Sequence, residues 1–243
     1  LGDVYKRQTL TGGNLEEKEV KKAQEGQAQD YPDGIPECGT DAMRFALVAY
    51  TAQGRDINLD VLRVVGYRHW CNKLWNAIRF AIMNLGDGYE PPETPLTSAT
   101  PGLPPASKWA LHRLNTAVKT TVDAMEVYDF ANATTGVYAF WQYDVCDVFI
   151  ELMKPVMNGT DEVAKSATRD TLWTCLDAGL RLLHPFMPFV TEELWQRLPR
   201  RAAETAPSIM VADYPAFTDD RTDAAVEESM AVAQEIVKAT RSC

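Results

Sequence analysis

One stretch of the chain concentrates side chains able to hold a charged, planar ligand. Gly66, His69, Lys73, Asn76 and Phe80 recur at i, i+3, i+7, i+10 and i+14, and Arg68, Asn72 and Arg79 flank that row. Cations of this kind meet phosphates, amides hydrogen-bond base edges, and a ring stacks on a base without a pairing partner. The rival reading is structural. A second helix layer would then cover this side, Phe80 would be core, and Arg68, Lys73 and Arg79 would form a solvated surface. Spacing alone leaves both readings open.

Other constellations are weaker. His69, His112 and His184 are not spaced as helical metal pairs, and packing or capping is the better reading for all three. Asp144, Asp147 and Glu151 fall at i, i+3 and i+7, but no Glu-x-x-His accompanies them, so a solvated face or ion pairs is expected rather than a metal centre. Gly12-Gly13 lacks the Lys and Ser/Thr of a phosphate loop, and no GxGxxG occurs. No catalytic residue and no metal ligand is assigned. The five cysteines are scattered with no CxxC pair, which fits a reducing compartment.

The net charge of −10 argues against a nucleic-acid partner only as an average. Residues 44–79 hold six basic side chains against two acidic ones, while residues 1–43 and 201–243 together supply −8. A local anion-binding surface is compatible with that distribution. No apolar run is long enough to span a bilayer, and the first residues do not read as a secretory signal.

These side chains need helices to position them. Residues 1–40 are polar and turn-rich, with a charged stretch from Glu16 to Glu25 that could form a short helix. Ala42, Phe45, Ala46 and Ala49 mark a second helix, capped by Thr40 or Asp41 and ended by Gly54. A long helix is predicted from about Asp60 to Leu85, with Tyr67, Trp70, Cys71, Leu74, Trp75, Ile78, Ala81, Ile82 and Leu85 as its apolar stripe and Gly86 as its stop. Six of the fourteen prolines fall within 86–106, an extended loop. Four helical patterns follow. The first is capped by Ser107, the second runs from Ala131 to Met153 and stops before Pro155, the third runs from Asp161 to Pro185, and the last is a short one capped by Thr191. Residues 208–211 read as a brief extended piece. A final helix from Thr222 places Val226, Met230, Ala233 and Val237 on one face. Trp141, Trp173 and Trp195 sit in apolar patterns and are expected in the core. The whole reads as all-α, a helical bundle over 58–200, with no βαβ unit.

The residues also resemble a known family. Pro36-Glu37-Cys38-Gly39-Thr40-Asp41, Gly54-Arg55-Asp56-Ile57-Asn58, Asn72-Lys73-Leu74-Trp75-Asn76 and Pro185-Phe186-Met187-Pro188-Phe189 are similar to the valyl-tRNA synthetases. The wording around Ile35-Pro36-Glu37-Cys38-Gly39 resembles the eukaryotic type. The last run is shared by related class I synthetases; the Gly54–Asn58 and Asn72–Asn76 runs are more specific to the valine enzymes. The resemblance covers about residues 9–243 and implies the anticodon-binding bundle of a class I aminoacyl-tRNA synthetase. It further implies the end of a catalytic domain and junction at 9–57, the bundle at 58–200, and a loop with a shortened helix at 201–243. Residues 1–8 match nothing in the family.

On that resemblance the expected function is part of a valine–tRNA ligase that binds and positions tRNA(Val). Candidate RNA contacts are Arg63, Arg68, Asn72, Lys73, Asn76, Arg79 and Phe80, while Arg44 and Arg55 could brace the junction. The family's His-x-Gly-His and Lys-Met-Ser-Lys-Ser segments are missing from this sequence, as is its editing domain. No cofactor is therefore expected in this part, although the family enzyme uses ATP with Mg2+. Partners implied are tRNA(Val) and the catalytic and editing domains of the same polypeptide, with no DNA and no membrane. The location implied is cytoplasmic, with an organellar form as the alternative. A fragment of an isoleucine or leucine ligase and a helical interaction module are the rival readings.

Overall fold

The computed structural model describes residues 16–31, 34, 36–52 and 59–241. Expectations for residues 1–8, Gly12-Gly13, the 54–58 run with Arg55, and Cys243 lie outside the described residues. The described chain is helical with no strand. In order the helices are α1 (Glu17–Asp30), α2 (Thr40–Ala49), α3 (Val61–Leu85), α4 (Pro105–Glu126), α5 (Phe130–Ala139), a π-helix (Phe140–Phe149), α6 (Ile150–Met157), α7 (Glu162–Leu183), α8 (Pro188–Trp195) and α9 (Ala224–Arg241). No helix among the described residues is long and apolar enough to cross a membrane.

Helix α3 starts and stops where its residues dictate. The Asp60 carboxylate accepts the Leu62 N–H at 2.9 Å, and Gly86 turns the chain out at φ +83°, a conformation that costs a glycine nothing. Its buried side is Val64, Trp70, Cys71, Leu74, Ala77, Ile78, Ala81 and Leu85. Tyr67 and Ile82 are only half-buried and Trp75 is exposed, so the expected stripe is narrower and rotated.

Helix α7 lies at the centre, capped by Asp161 on the Val163 and Ala164 N–H groups, both at 3.0 Å. One main core joins α3, α4, α5, the π-helix, α7 and α8, and takes in Phe45 before residue 58 and Ile209 after residue 200. Gly179 of α7 lets the π-helix come close. A Cβ there would lie 3.0 Å from both Phe140 Cε1 and Trp141 Cζ2, and Trp141 Nε1 donates to the Gly179 carbonyl at 3.1 Å.

Several local expectations are corrected. Residues 130–157 form a continuous rod whose middle, 140–149, is wound as a π-helix, and Pro155 does not end it. Helix α4 begins at Pro105, whose ring presets the first helical φ, so Ser107 sits inside the helix with a buried, unbonded hydroxyl. Residues 209–211 form a 3-10 turn, with the Ser208 hydroxyl accepting from Met210 N, not an extended piece. Helix α9 keeps Val226 and Met230 against the body, but Ala233 and Val237 are exposed as it leaves the bundle.

The cap of α8 is the most informative correction. Thr191 lies within the helix, donating to the Met187 carbonyl at 2.8 Å. The free donors at the start, Phe189 N and Val190 N, are bound instead by the Asp41 carboxylate of α2 at 3.2 and 2.7 Å. Asp41 therefore does not cap its own helix, which opens at Gly39 with φ +81° and no side-chain bond.

Candidate nucleic-acid interface

The seven candidate residues all belong to α3 or its first turn, but they do not share a face. Arg68, Asn72, Asn76 and Arg79 are exposed together on the side of α3 turned away from the core. Arg68 Nη1 donates to Asn72 Oδ1 at 3.2 Å, which fixes one guanidinium along the helix. Neither Arg68 nor Arg79 has a carboxylate partner among the described residues. This stripe presents two unneutralised guanidinium groups and two amides to solvent.

The other three point elsewhere. Lys73 is half-buried, and its Nζ donates to Asp147 Oδ1 of the π-helix at 2.8 Å. Phe80 is half-buried against the main core, with the Lys154 ammonium 6.0 Å from its ring centroid. Arg63 lies across the helix, its guanidinium 4.5 Å from the Tyr50 ring centroid. There it lines a cavity of about 380 Å³ with Phe45, Gly66, Tyr67 and Tyr138. The structure therefore brings four of the seven together and separates Arg63, Lys73 and Phe80 from them.

The carboxylate row resolves into ion pairs. Asp147 meets Lys73, Glu151 meets Lys154 at 2.7 Å, and Asp144 accepts from Arg113 Nε at 3.0 Å. Arg113 also reaches Glu227 of α9 at 3.1 Å, so one guanidinium bridges two acids. Burial pushes the Asp144 carboxyl up to about 6; Arg113 pulls it down and nearby Glu227 adds to the rise. No group of His, Cys, Asp and Glu able to hold a metal occurs among the described residues.

His184, His112 and the junction arginine behave as packing groups, whereas His69 is exposed, against the expectation of packing or capping. His184 Nδ1 meets Thr191 Oγ1 at 2.7 Å, and His112 Nδ1 accepts the Asp223 N–H at 3.1 Å. Arg44 donates to the Pro185 carbonyl at 3.1 Å, bracing α2 against the turn between α7 and α8. Trp141, Trp173 and Trp195 are buried as expected.

The sequence reading missed two members of the exposed stripe. Trp75 belongs to the apolar stripe that the sequence predicts, yet it is 38% exposed. Arg197, at the end of α8, lies with its guanidinium 5.1 Å from the Trp75 ring centroid. The signal for Trp75 was present, because 68, 72, 75 and 79 are spaced i, i+4, i+7 and i+11, one helical line. Nothing local points to Arg197.

Comparison with known proteins fits this architecture. The family model described as the anticodon-binding domain of tRNA ligase matches residues 107–243. Valine–tRNA ligase, mitochondrial 1, of Arabidopsis thaliana is 52% identical over 246 residues, covering 100% of this chain and 22% of that protein. The Homo sapiens valine–tRNA ligase is 52% identical over 232 residues, covering 93% of this chain and 18% of its own length. The mitochondrial valine–tRNA ligase of Saccharomyces cerevisiae is 48% identical and covers 100% of this chain and 22% of its own length. The chain thus spans about a fifth of the length of these curated relatives. Among solved structures, a ternary complex of Agrobacterium radiobacter LeuRS with tRNA and LeuAMS shares the fold at TM-score 0.52 and 16% identity, over 75% of this chain and 20% of that one. With the family model matching more than half of its residues and valine–tRNA ligases aligning along all of it, the chain belongs to the anticodon-binding domains of tRNA ligases.

Proposed function

We propose that this chain is the tRNA-holding part of a valine–tRNA ligase. The complete enzyme would join L-valine to tRNA(Val) with conversion of ATP to AMP and diphosphate. ATP and Mg2+ would be bound by regions outside these 243 residues. The role of this part is to grip the tRNA so that its acceptor end reaches those regions. One observation carries the reading: the exposed line Arg68, Asn72, Asn76 and Arg79, with both guanidinium groups lacking a carboxylate partner among the described residues. Unneutralised cations beside amides bind a phosphate chain and base edges at once. The name shared by the relatives supports valine as the amino acid, and the tRNA in the Agrobacterium complex supports the class of ligand. An isoleucine or leucine ligase is not favoured by relatives of this identity, nor is a purely protein-binding module. A reducing location, cytoplasmic or organellar, is consistent with Cys38, Cys71, Cys146 and Cys175 all being free thiols.

Filter retention of labelled tRNA(Val) by the 243-residue chain, across a salt series, tests this. Expected is weak binding that falls steeply with salt, with no valine-dependent ATP–pyrophosphate exchange. Robust exchange by this chain alone, or no retention of tRNA at low salt, overturns it.

A further inference from the structure

We propose that Arg197 and Trp75 form a stacking platform for one unpaired base of the bound RNA. The proposal rests on reading the exposed line of α3 as the tRNA surface, and assigns a second element, α8, to that surface.

Trp75 differs from the other tryptophans. It is 38% exposed, whereas Trp70, Trp109, Trp141, Trp173 and Trp195 are all 4% exposed or less. Trp141, Trp173 and Trp195 are also tied in by an indole N–H bond, which Trp75 lacks among the described residues; exposure is what sets Trp75 apart, since buried Trp70 has no N–H partner either. Its place on the helix is the line of Arg68, Asn72 and Arg79. A large apolar ring on that line pays the cost of contact with water until something flat covers it.

Arg197 covers it in part. Its guanidinium lies over the ring, 5.1 Å from the centroid, and Glu193, one turn earlier, accepts from its Nε at 3.0 Å and from its Nη2. The side chain stays 53% exposed. Other arginines that cover indoles are structural. Arg200 lies 4.2 Å over Trp195 and donates to the Ala206 carbonyl, and Arg201 lies 4.7 Å over Trp173 and donates to the Pro92 carbonyl. Both of those indoles are buried. Of the arginine–indole pairs among the described residues, Trp75–Arg197 is the one that opens to solvent.

The chemistry separates the arginines into two kinds. Arg197 is neutralised by Glu193, so it attracts a phosphate weakly, but its plane still stacks on a base. Arg68 and Arg79 have no carboxylate partner among the described residues, so their charge is available for phosphates. A loop with its phosphates along Arg68 and Arg79 would bring an unpaired base over Arg197, extending the indole–guanidinium stack by one layer.

The test uses the 243-residue chain and an RNA stem–loop of the tRNA(Val) anticodon arm, with 2-aminopurine placed in turn at each unpaired loop position. Binding should quench the emission at one position. Arg197→Lys keeps the charge and removes the plane. It should lower affinity about tenfold at every salt concentration, leave the salt slope unchanged and abolish the quench. Trp75→Phe should weaken both effects, because a smaller ring supports the plane less well. Arg68→Gln with Arg79→Gln should do the converse, lowering the salt slope while keeping the quench at saturation. Wild-type affinity and quenching in Arg197→Lys overturn the platform and leave the RNA surface standing if the Arg68 and Arg79 variants still weaken binding. Absence of any RNA binding by the wild-type chain at low salt overturns the surface and the platform together.

Discussion

Lys73 and Arg79 sit on one helix, six residues apart, and face different surroundings. Lys73 turns toward the π-helix and is engaged by Asp147; Arg79 points to solvent with no carboxylate paired to it among the described residues. The same contrast separates the two sides of the bundle. On the π-helix side, Asp144, Asp147 and Glu151 each meet a cation, so charge is consumed inside the molecule. On the exposed side of α3 it is left over. The net charge of −10 records the acids of the chain, while two exposed cations with no carboxylate partner among the described residues, Arg68 and Arg79, share one line of α3. Partner preference follows which charges remain unpaired, not their sum.

Substitutions can break or sharpen that contrast. The largest effect is expected from reversing both open cations, Arg68→Glu with Arg79→Glu. Affinity for tRNA at low salt should drop about 100-fold, about 2.7 kcal/mol, with little change in thermal unfolding, read by filter retention and by calorimetry. On the closed side, the pH dependence of stability should come from Asp144. Burial holds its carboxyl at about 6, so the folded chain keeps a proton that the unfolded chain releases at lower pH. The stabilisation is therefore complete below the unfolded value and is lost as pH rises through about 6. Asp144→Asn should remove this term. Denaturant unfolding would show the wild type losing about 2 kcal/mol relative to the variant between pH 4 and pH 7. Asp41→Ala should cost about 1 kcal/mol, the usual value of a lost helix cap, with RNA affinity unchanged. Lys73→Ala should be the mildest, under about 1 kcal/mol because the pair with Asp147 is partly exposed. A loss of RNA affinity in Lys73→Ala equal to that of Arg79→Ala would erase the distinction between the two sides.

The sequence carried the elements whose signals are local. Asp60 and Asp161 cap the helices that follow them, and Gly86 ends α3, because each acts on backbone groups within four residues. Signals that depend on distant partners were not visible. Thr191 has the chemistry of a cap, but the acceptor that fills that role, Asp41, is 149 residues away from Val190. The π-helix was hidden as well. Its residues keep an apolar pattern close enough to 3.6 to read as ordinary helix, and the wider winding sits where Phe140 and Trp141 pack against α7 at Gly179. For the candidate site, Arg68, Asn72, Asn76 and Arg79 lie on an open side, as their spacing suggests. Lys73 and Phe80 were not, because Asp147 and the core that receives Phe80 lie on other helices. Trp75 was assigned by its hydrophobicity when its position in the line of arginines was the better guide.

The bond from Asp41 to the start of α8 bears on where this chain can be divided. The family match begins at residue 107, but a piece cut there would lack the carboxylate that receives Phe189 N and Val190 N. It would also lack Phe45, Trp70 and Leu74, and would leave apolar surface of α7 and α8 facing water. The packing thus makes α2 a structural member of the domain that follows it.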